Sequence, residues 1–161
     1  MELILVRHAI AEPHSSQMND DDRQLTQEGR RRFEASLPGY KSLLPKEVIV
    51  WSSPLTRAWQ TAEMLAGVLG TTVECKDVIA GASFESFFKV IMQVDPTACL
   101  AVVGHQPYLS DWCGQLCGFD LPFKKGAAAS LMLEPDTAGQ AELQWFMQPR
   151  PLRRLQNGKK E

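Results

Sequence analysis

Two segments of the chain each carry an apolar run into a histidine. In LILVRHA, residues 3–9, four apolar residues lead into Arg7 and His8. In CLAVVGH, residues 99–105, a similar run ends at His105. A neutral imidazole can act as a nucleophile or carry a proton, and a guanidinium beside it holds a fixed positive charge. The two segments therefore predict a site for chemistry on an anion.

A third segment, SSPLTRAWQTAE at residues 52–63, supplies a second arginine. Ser53 followed by Pro54 is typical of a helix start, which places Arg57 one turn into the helix. Two guanidinium forks can grip phosphate oxygens in pairs and neutralise the charge that resists nucleophilic attack. A phosphoryl group is the expected ligand. We predict that His8 attacks phosphorus and is covalently phosphorylated, and that His105 stabilises the transition state.

The elements that position these residues are predicted to alternate between strands and helices. Continuous apolar runs favour buried parallel strands, and a short further strand is predicted at 71–75. Thr26 resembles a helix N-cap, and Pro38-Gly39 should divide the helical pattern that follows it into two pieces. Further helices are predicted after Ser53, over 85–94 and from Pro107.

The final part of the chain predicts an antiparallel hairpin. AAASLMLEP and AELQWFMQP have the composition of two strands joined by DTAGQ, and NGKKE at 157–161 is a polar tail. The order of elements indicates an α/β fold, a three-layer α/β/α sandwich with a mixed, mostly parallel central sheet. Ligands of such sheets bind beyond the carboxyl ends of the strands, so the two histidines and two arginines should meet at one edge.

Composition limits the class of protein. The chain has 161 residues, which suits a single domain over 1–161, and its net charge of -2 offers no general attraction for nucleic acid or anionic lipid. No segment resembles a signal peptide or a membrane span, so we expect a cytoplasmic monomer. The four cysteines form no Cys-x-x-Cys pair and are predicted to be small core residues.

The polar stretch after the first strand raises the alternative of a metal site, with His14 and the run Asp20, Asp21 and Asp22 as ligands. We favour a surface loop without metal or cofactor, because the two arginines already supply the positive charge a metal would provide. The loop is either a solvated connector or a mobile rim near the substrate.

Four motifs resemble one known family. They are VRHA, SPLTRAWQTAE, GHQP and DDRQLTQEG. Together they resemble the Arg-His-Gly/Ala, Ser-Pro-x-x-Arg-Ala-x-Gln-Thr-Ala, Gly-His-x-Pro and Arg-x-Leu-Thr-x-x-Gly elements of the histidine phosphatase superfamily, which has the phosphoglycerate mutase-like fold. The resemblance implies that His8 is the phosphorylated residue and that Arg7, Arg57 and His105 complete the phosphate pocket.

Within that superfamily the short length, the alanine after Arg-His and the segment WFMQPRPL resemble the SixA-type phosphohistidine phosphatases. The resemblance implies a metal-independent enzyme that prefers phosphohistidine on a protein domain. Relatives that hydrolyse esters carry a carboxylic acid for the leaving oxygen; here Glu85 is the one carboxylate near that segment, and it reads more simply as an exposed residue opening a helix. A phosphoramidate needs no such acid, which supports the assignment.

Two alternatives stay open. The chain could be a phosphatase of the same fold for a small-molecule phosphate or another phosphoprotein, or a phosphate-binding module without turnover. The second is disfavoured because a pure binding site could use any donor in place of His8. A modest basic group could steer a protein substrate electrostatically: Lys124, Lys125, Arg150, Arg153 and Arg154.

Overall fold

The structure, a computed structural model, describes residues 1–135 and 139–155. These described residues contain six strands and six α-helices in this order: β1 Glu2–Arg7, α1 Gln27–Glu34, α2 Leu37–Leu43, β2 Ile49–Ser52, α3 Thr56–Leu69, β3 Val73–Cys75, α4 Phe84–Ile91, β4 Cys99–Gly104, α5 Tyr108–Cys117, β5 Ala128–Leu133, β6 Ala141–Met147 and α6 Pro149–Arg154. Short 3-10 helices lie at Asp20–Asp22 and Asp77–Ala80.

The strands form one sheet in the order β3-β2-β4-β1-β5-β6. The pairs β2–β3, β2–β4 and β1–β4 are parallel, whereas β5 runs antiparallel to both β1 and β6. Arg7 is the register partner of Gly104, so His8 and His105 are the next residues of two neighbouring strands. The mixed, mostly parallel sheet predicted from the sequence is confirmed.

Alternate residues of β1 face two separate apolar cores, one on each side of the sheet. Ile4 and Val6 pack into the core beneath α1, α2, α3 and α6, while Leu3 and Leu5 pack into the core beneath α4 and α5. All four are fully buried. The continuous apolar run of this strand is therefore explained by burial of both faces, as in other sheets covered by helices on both sides.

The helix after β2 begins later than the sequence predicts. The N–H of Ser53 still donates to the carbonyl of Val103 (3.1 Å), so the sheet's hydrogen bonding continues past β2. Pro54 and Leu55 connect the end of this strand to α3, which starts at Thr56. Pro54 thus precedes the helix and is not part of its first turn.

The helical pattern around Pro38-Gly39 is divided into two helices near Leu37, as predicted: α1 ends at Glu34 and α2 begins at Leu37. Pro38 lies in the first turn of α2, where a missing N–H costs nothing. A Cβ on Gly39 would overlap the carbonyl oxygen of Leu152, so glycine allows α2 to pack against α6. The sequence did not predict α6. Thr26 is the N-cap of α1, and its side chain accepts from Gly29.

The cysteine prediction is wrong for part of the set. Cys99 and Cys113 are buried, but Cys75 is exposed and Cys117 is half-buried. Cys75 ends β3, which lies at the edge of the sheet and has one neighbouring strand, so it leaves the core.

Two predicted features lie at the limits of the described chain. Most of DTAGQ, at 136–138, and the tail at 157–161 lie outside the described residues. Within the part of the chain that the structure describes, no helix has the length and apolar character of a membrane span. The cytoplasmic location and the monomeric state stay predictions.

Candidate active site

His8 and His105 meet at the carboxyl ends of β1 and β4. The backbone N–H of His8 donates to the carbonyl of Gly104 (3.1 Å), which keeps the chain in sheet register one residue beyond β1. The two imidazole ring centroids are 5.2 Å apart, with 53° between the ring planes. Both residues are buried, at 6% and 5% exposure. The structure therefore brings together two residues that are 97 positions apart in the sequence.

One hydrogen bond determines which nitrogen of His8 carries the proton. His8 Nδ1 lies 2.7 Å from the carbonyl oxygen of Ala9. A carbonyl only accepts, so Nδ1 carries the proton and Nε2 of the neutral ring keeps its lone pair. Burial, together with the charges of Arg57 and Arg7, lowers the pKa of His8 to about 3. At neutral pH His8 is thus a neutral imidazole whose Nε2 keeps its lone pair.

His105 is also neutral in the free protein. Burial lowers its pKa to about 4, and the nearby charge of Arg57 acts in the same direction. Its Nε2 lies 2.8 Å from the hydroxyl oxygen of Ser53. Its Nδ1 is buried and has no hydrogen-bond partner among the described residues. The ring is thus anchored through Nε2 and lies buried beside His8.

Arg57 lies in the first turn of α3, buried at 6% exposure. Its Nη1 donates to the backbone carbonyl of Asp20 (2.9 Å), and its Nη2 lies 3.3 Å from Asp20 Oδ2. Thr61, one turn later, joins the helix to the end of β1: its hydroxyl donates to the carbonyl of Arg57 (2.7 Å) and accepts from the N–H of Ala9 (3.0 Å). Thr61 therefore fixes the start of α3, which carries Arg57, relative to the end of β1, which is followed by His8.

Arg7 approaches from the other side of the site. Its Nη1 donates to the carbonyl of Phe123 (2.6 Å). The Nε groups of Arg7 and Arg57 are both buried and have no hydrogen-bond partner among the described residues. Burial lowers the pKa of both guanidinium groups from its ordinary value, but arginine stays charged in proteins. Buried guanidinium donors of this kind are well suited to an oxyanion.

Sequence reasoning missed two further cations at this site. The charge of Arg23 lowers the pKa of both Arg57 and His105. The pKa of Lys125 is lowered by burial and by the charges of Arg7, Arg23 and Arg57. The motif DDRQLTQEG contains Arg23, but its local pattern indicates no role for this residue. Lys125 is predicted as part of a basic surface group, because nothing in the local sequence shows that it lies near the charges of Arg7 and Arg57.

The loop at 11–24 brings the carboxylate of Asp20 into contact with the guanidinium groups of Arg57 and Arg23. Its Oδ1 lies 2.9 Å from His14 Nδ1 and 2.8 Å from Arg23 Nε. The hydrogen bond from His14, followed by the charges of Arg57 and Arg23, holds the pKa of Asp20 below its usual range. Asp20 is therefore ionised at neutral pH. The loop forms part of the rim of the site.

Other acidic residues do not gather into a metal site. Among residues 1–135 and 139–155 no cluster of three or more histidine, cysteine or acidic side chains could hold a metal ion. Glu85 lies exposed in the first turn of α4, after the N-cap Ser83, as the sequence predicted for a residue that opens a helix.

The comparison with protein families agrees with this arrangement. Residues 3–87 match the model of the histidine phosphatase superfamily, branch 1. The chain belongs to this superfamily. The matched segment includes Arg7, His8 and Arg57, whereas His105 follows it and is joined to them by the parallel pairing of β1 with β4.

Similar proteins and structures extend over most of the chain. An uncharacterized protein of Picosynechococcus sp. is 32% identical over 139 residues, which cover 81% of this chain and 84% of the relative. The protein histidine phosphatase SixA complexed with tungstate is 23% identical, with a TM-score of 0.80 over 94% of this chain and 99% of the other. SixA from Nakamurella multipartitia is 25% identical, with a TM-score of 0.74 over 92% and 95%.

These matches confirm the phosphoglycerate mutase-like α/β fold and the resemblance to the SixA-type branch that the sequence indicated. The superfamily match also supports the coarser functional prediction: the protein is a phosphatase.

Proposed function

We propose that this protein is a metal-independent phosphohistidine phosphatase that acts through a covalent phosphohistidine on His8. The observation that carries the proposal is the state of His8: a neutral ring whose Nδ1 proton is held by the carbonyl of Ala9, leaving Nε2 unprotonated among buried cations. That is the arrangement a nucleophilic imidazole requires.

In the first step, His8 Nε2 attacks the phosphorus atom of the bound phosphoryl group. A new N–P bond forms on His8 as the bond from phosphorus to the leaving nitrogen breaks, and that electron pair departs with the substrate imidazole. The leaving ring arrives protonated or takes a proton from water. Arg7 and Arg57 offset the negative charge on the phosphoryl oxygens, and His105 donates to one of them.

In the second step, water attacks the phosphorus of phosphorylated His8. An O–P bond forms, the N–P bond breaks, and inorganic phosphate leaves with His8 restored as a neutral imidazole. His105, which is buried with its ring centroid 5.2 Å from that of His8, is the residue we assign to the oxygen that carries charge in both steps. Splitting one displacement into two lowers the barrier of each.

The acidic residues favour phosphohistidine over an alkyl ester as the substrate. An ester leaving group needs a general acid, whose contribution is typically about 10² to 10⁴ in rate. Asp20 is the carboxylate in contact with Arg57, and its lowered pKa keeps it ionised, so it has no proton to give. Glu85 is exposed. A phosphorylated imidazole leaves without such an acid, which makes it the substrate that this set of groups can serve.

The structural comparisons support the same direction, since both of the SixA structures above share this fold over more than nine-tenths of the chain. A protein domain as the carrier of the phosphohistidine is part of the proposal. The runner-up is a phosphatase of the same fold that acts on a small-molecule ester or another phosphoprotein.

Rapid quenching tests the intermediate. The protein is mixed with a phosphohistidine-bearing protein domain carrying labelled phosphate, quenched within the first turnover, and analysed for label. We expect phosphate on His8 that is stable in base and labile in acid. Label on any other residue of this chain would refute the nucleophile assignment.

Specificity constants test the substrate. The value of kcat/KM is compared for the phosphorylated domain, free phosphohistidine and a panel of sugar and nucleotide phosphates. We expect the phosphoramidates to be preferred, and higher values on the esters would establish the runner-up. Phosphate binding without turnover on any of these substrates would establish the binding module.

A further inference from the structure

A groove beside the phosphate pocket is lined by cations that the proposed reaction does not use. It has a volume of about 480 Å³ and lies between α1, the start of α2, the segment before β5, and α6. The lining includes one cation of the phosphate pocket, Arg7, and five others, which we call the basic groove: Arg32, Lys124, Lys125, Arg150 and Arg153.

No acidic residue is part of the described lining of this groove. Arg32 is paired with Glu28, which lies outside the lining. The remaining cations form no ion pair among residues 1–135 and 139–155: Lys124, Lys125, Arg150 and Arg153. The whole chain has a net charge of -2, whereas this face of the molecule is positively charged. Such a local field favours an anionic partner.

The groove adjoins the phosphate pocket. Arg7 and Ala9, the two chain neighbours of His8, both line the groove. Lys125 lines the groove as well, and the charges of Arg7 and Arg57 lower its pKa. A ligand whose phosphoryl group occupies the pocket can therefore extend its neighbouring groups along this basic face.

The shape of the groove favours a protein segment over a small anion. Lys124 and Arg150 are exposed side chains on an open rim, whereas small-molecule subsites surround most of their ligand with fixed polar groups. The floor contains apolar surface from Ile10, Phe33 and Pro149. An apolar centre with a polar, solvent-accessible rim is typical of protein–protein interfaces, and here the rim is cationic, which favours aspartate and glutamate side chains.

We propose that the basic groove binds an acidic segment of the phosphorylated protein substrate and so selects protein-borne phosphohistidine over free phosphohistidine. The claim that this occupant belongs to the substrate rests on the function proposed above. Binding of an acidic peptide in the groove is independent of that function.

Charge reversal tests the effect on catalysis. Lys124→Glu combined with Arg150→Glu changes the rim but none of the four residues assigned to the reaction. Its matched control, Lys46→Glu with Lys89→Glu, makes the same change in net charge at exposed positions outside the groove. We expect the groove variant to lower kcat/KM about tenfold for a phosphohistidine domain with an acidic surface, and to leave free phosphohistidine within about twofold.

Three results of that experiment would overturn the proposal. They are an unchanged kcat/KM on the phosphorylated domain, an equal loss on both substrates, and an equal loss in the control variant. Circular dichroism and the thermal midpoint of each variant establish that the comparison is made on folded protein.

Direct binding separates this inference from the proposed activity. Fluorescence anisotropy is measured with a dye-labelled decapeptide rich in glutamate and aspartate and without phosphate, using the full chain with His8→Asn so that no turnover occurs. We expect binding that weakens about tenfold in the groove variant and stays unchanged in the control. The peptide result stands even if the catalytic substrate proves to be an ester.

Competitors identify other occupants. A single-stranded oligonucleotide and inositol hexakisphosphate are titrated against the bound peptide at the same ionic strength. Tighter binding of either one than of the peptide, lost in the groove variant, would overturn the assignment to an acidic protein segment. Weaker binding of both, together with loss of peptide binding in the groove variant, supports it.

Discussion

The phosphate pocket and the basic groove use positive charge in different ways although they share Arg7. In the pocket, His8, Arg57 and His105 are each at most 6% exposed; hydrogen bonds hold all three in position, and the bond to Ala9 defines the tautomer of His8. In the groove, Lys124 and Arg150 are exposed on long side chains. Charges excluded from water act strongly over short distances, whereas exposed charges are screened by salt. The pocket is suited to chemistry and the groove to recognition.

The largest expected effect is the loss of the nucleophile. His8→Asn retains a side-chain donor for the carbonyl of Ala9 but has no nitrogen lone pair for phosphorus. We expect kcat to fall by about four orders of magnitude or more, while the affinity for inorganic phosphate stays within a few-fold. Steady-state kinetics and isothermal titration measure the two quantities. Turnover at the wild-type rate would place the chemistry elsewhere.

The second effect tests the planar fork of Arg57. Arg57→Lys keeps the positive charge but cannot make paired contacts with phosphoryl oxygens. We expect kcat to fall by about 10² to 10³, the usual cost of removing one buried donor from the site of developing charge. Arg150→Lys in the groove is the matched control and should change kcat less than twofold. Equal losses in the two variants would remove the distinction between pocket and groove.

Salt provides the third test. Raising the ionic strength from about 0.05 to about 0.5 M shortens the screening length several-fold. We expect kcat/KM for an acidic phosphorylated domain to fall about tenfold, with kcat itself little changed. Free phosphohistidine, which reaches only the buried pocket, should lose much less. The same salt dependence for both substrates would contradict the recognition role of the groove.

Stability against pH reports the burial of the pocket. His8 and His105 have folded pKa values of about 3 and 4, below the ordinary value of 6.5, so the unfolded chain binds more protons between pH 4 and 6.5. The free energy of unfolding must then fall as the pH is lowered through 6.5, with a slope approaching about 1.4 kcal/mol per pH unit for each ring.

Denaturant titrations of wild type and of His8→Asn with His105→Asn measure this dependence. The interval from about pH 5 to 6.5 is used because aspartate and glutamate titrate mainly below it. We expect the variant to show a much flatter dependence in that interval. A slope equal to that of wild type would show that the two rings are not buried in the neutral form.

The smallest effect concerns Asp20, whose carboxylate lies 3.3 Å from Arg57 Nη2. A phosphoryl group must compete with this anion for the guanidinium. We expect Asp20→Asn to strengthen the binding of inorganic phosphate by about threefold, since it removes an exposed, solvent-screened charge. Competition against turnover measures the affinity. Weaker phosphate binding in the variant would mean that Asp20 positions Arg57 more than it competes with the ligand.

The sequence predicts those features of the site that depend on residues close together in the chain. Arg7, His8 and His105 are predicted from the ends of apolar runs, and Arg57 from the start of a helix, all of which are local patterns. The start of α3 was placed too early because the bond from Ser53 to Val103 joins residues 50 positions apart. The same limitation hid α6, whose Leu152 is buried against α2.

By itself the sequence determined the alternation of strands and helices, the mixed sheet, and the residues that leave its carboxyl edge, because hydrophobic periodicity and helix-start residues act over a few positions. Only the tertiary structure decided that Nε2 of His8 is unprotonated, that Asp20 contacts Arg57, and that Lys125 lines a groove together with Arg7. Those properties depend on the exclusion of water and on charges from distant parts of the chain. Neither can be predicted from a local sequence pattern.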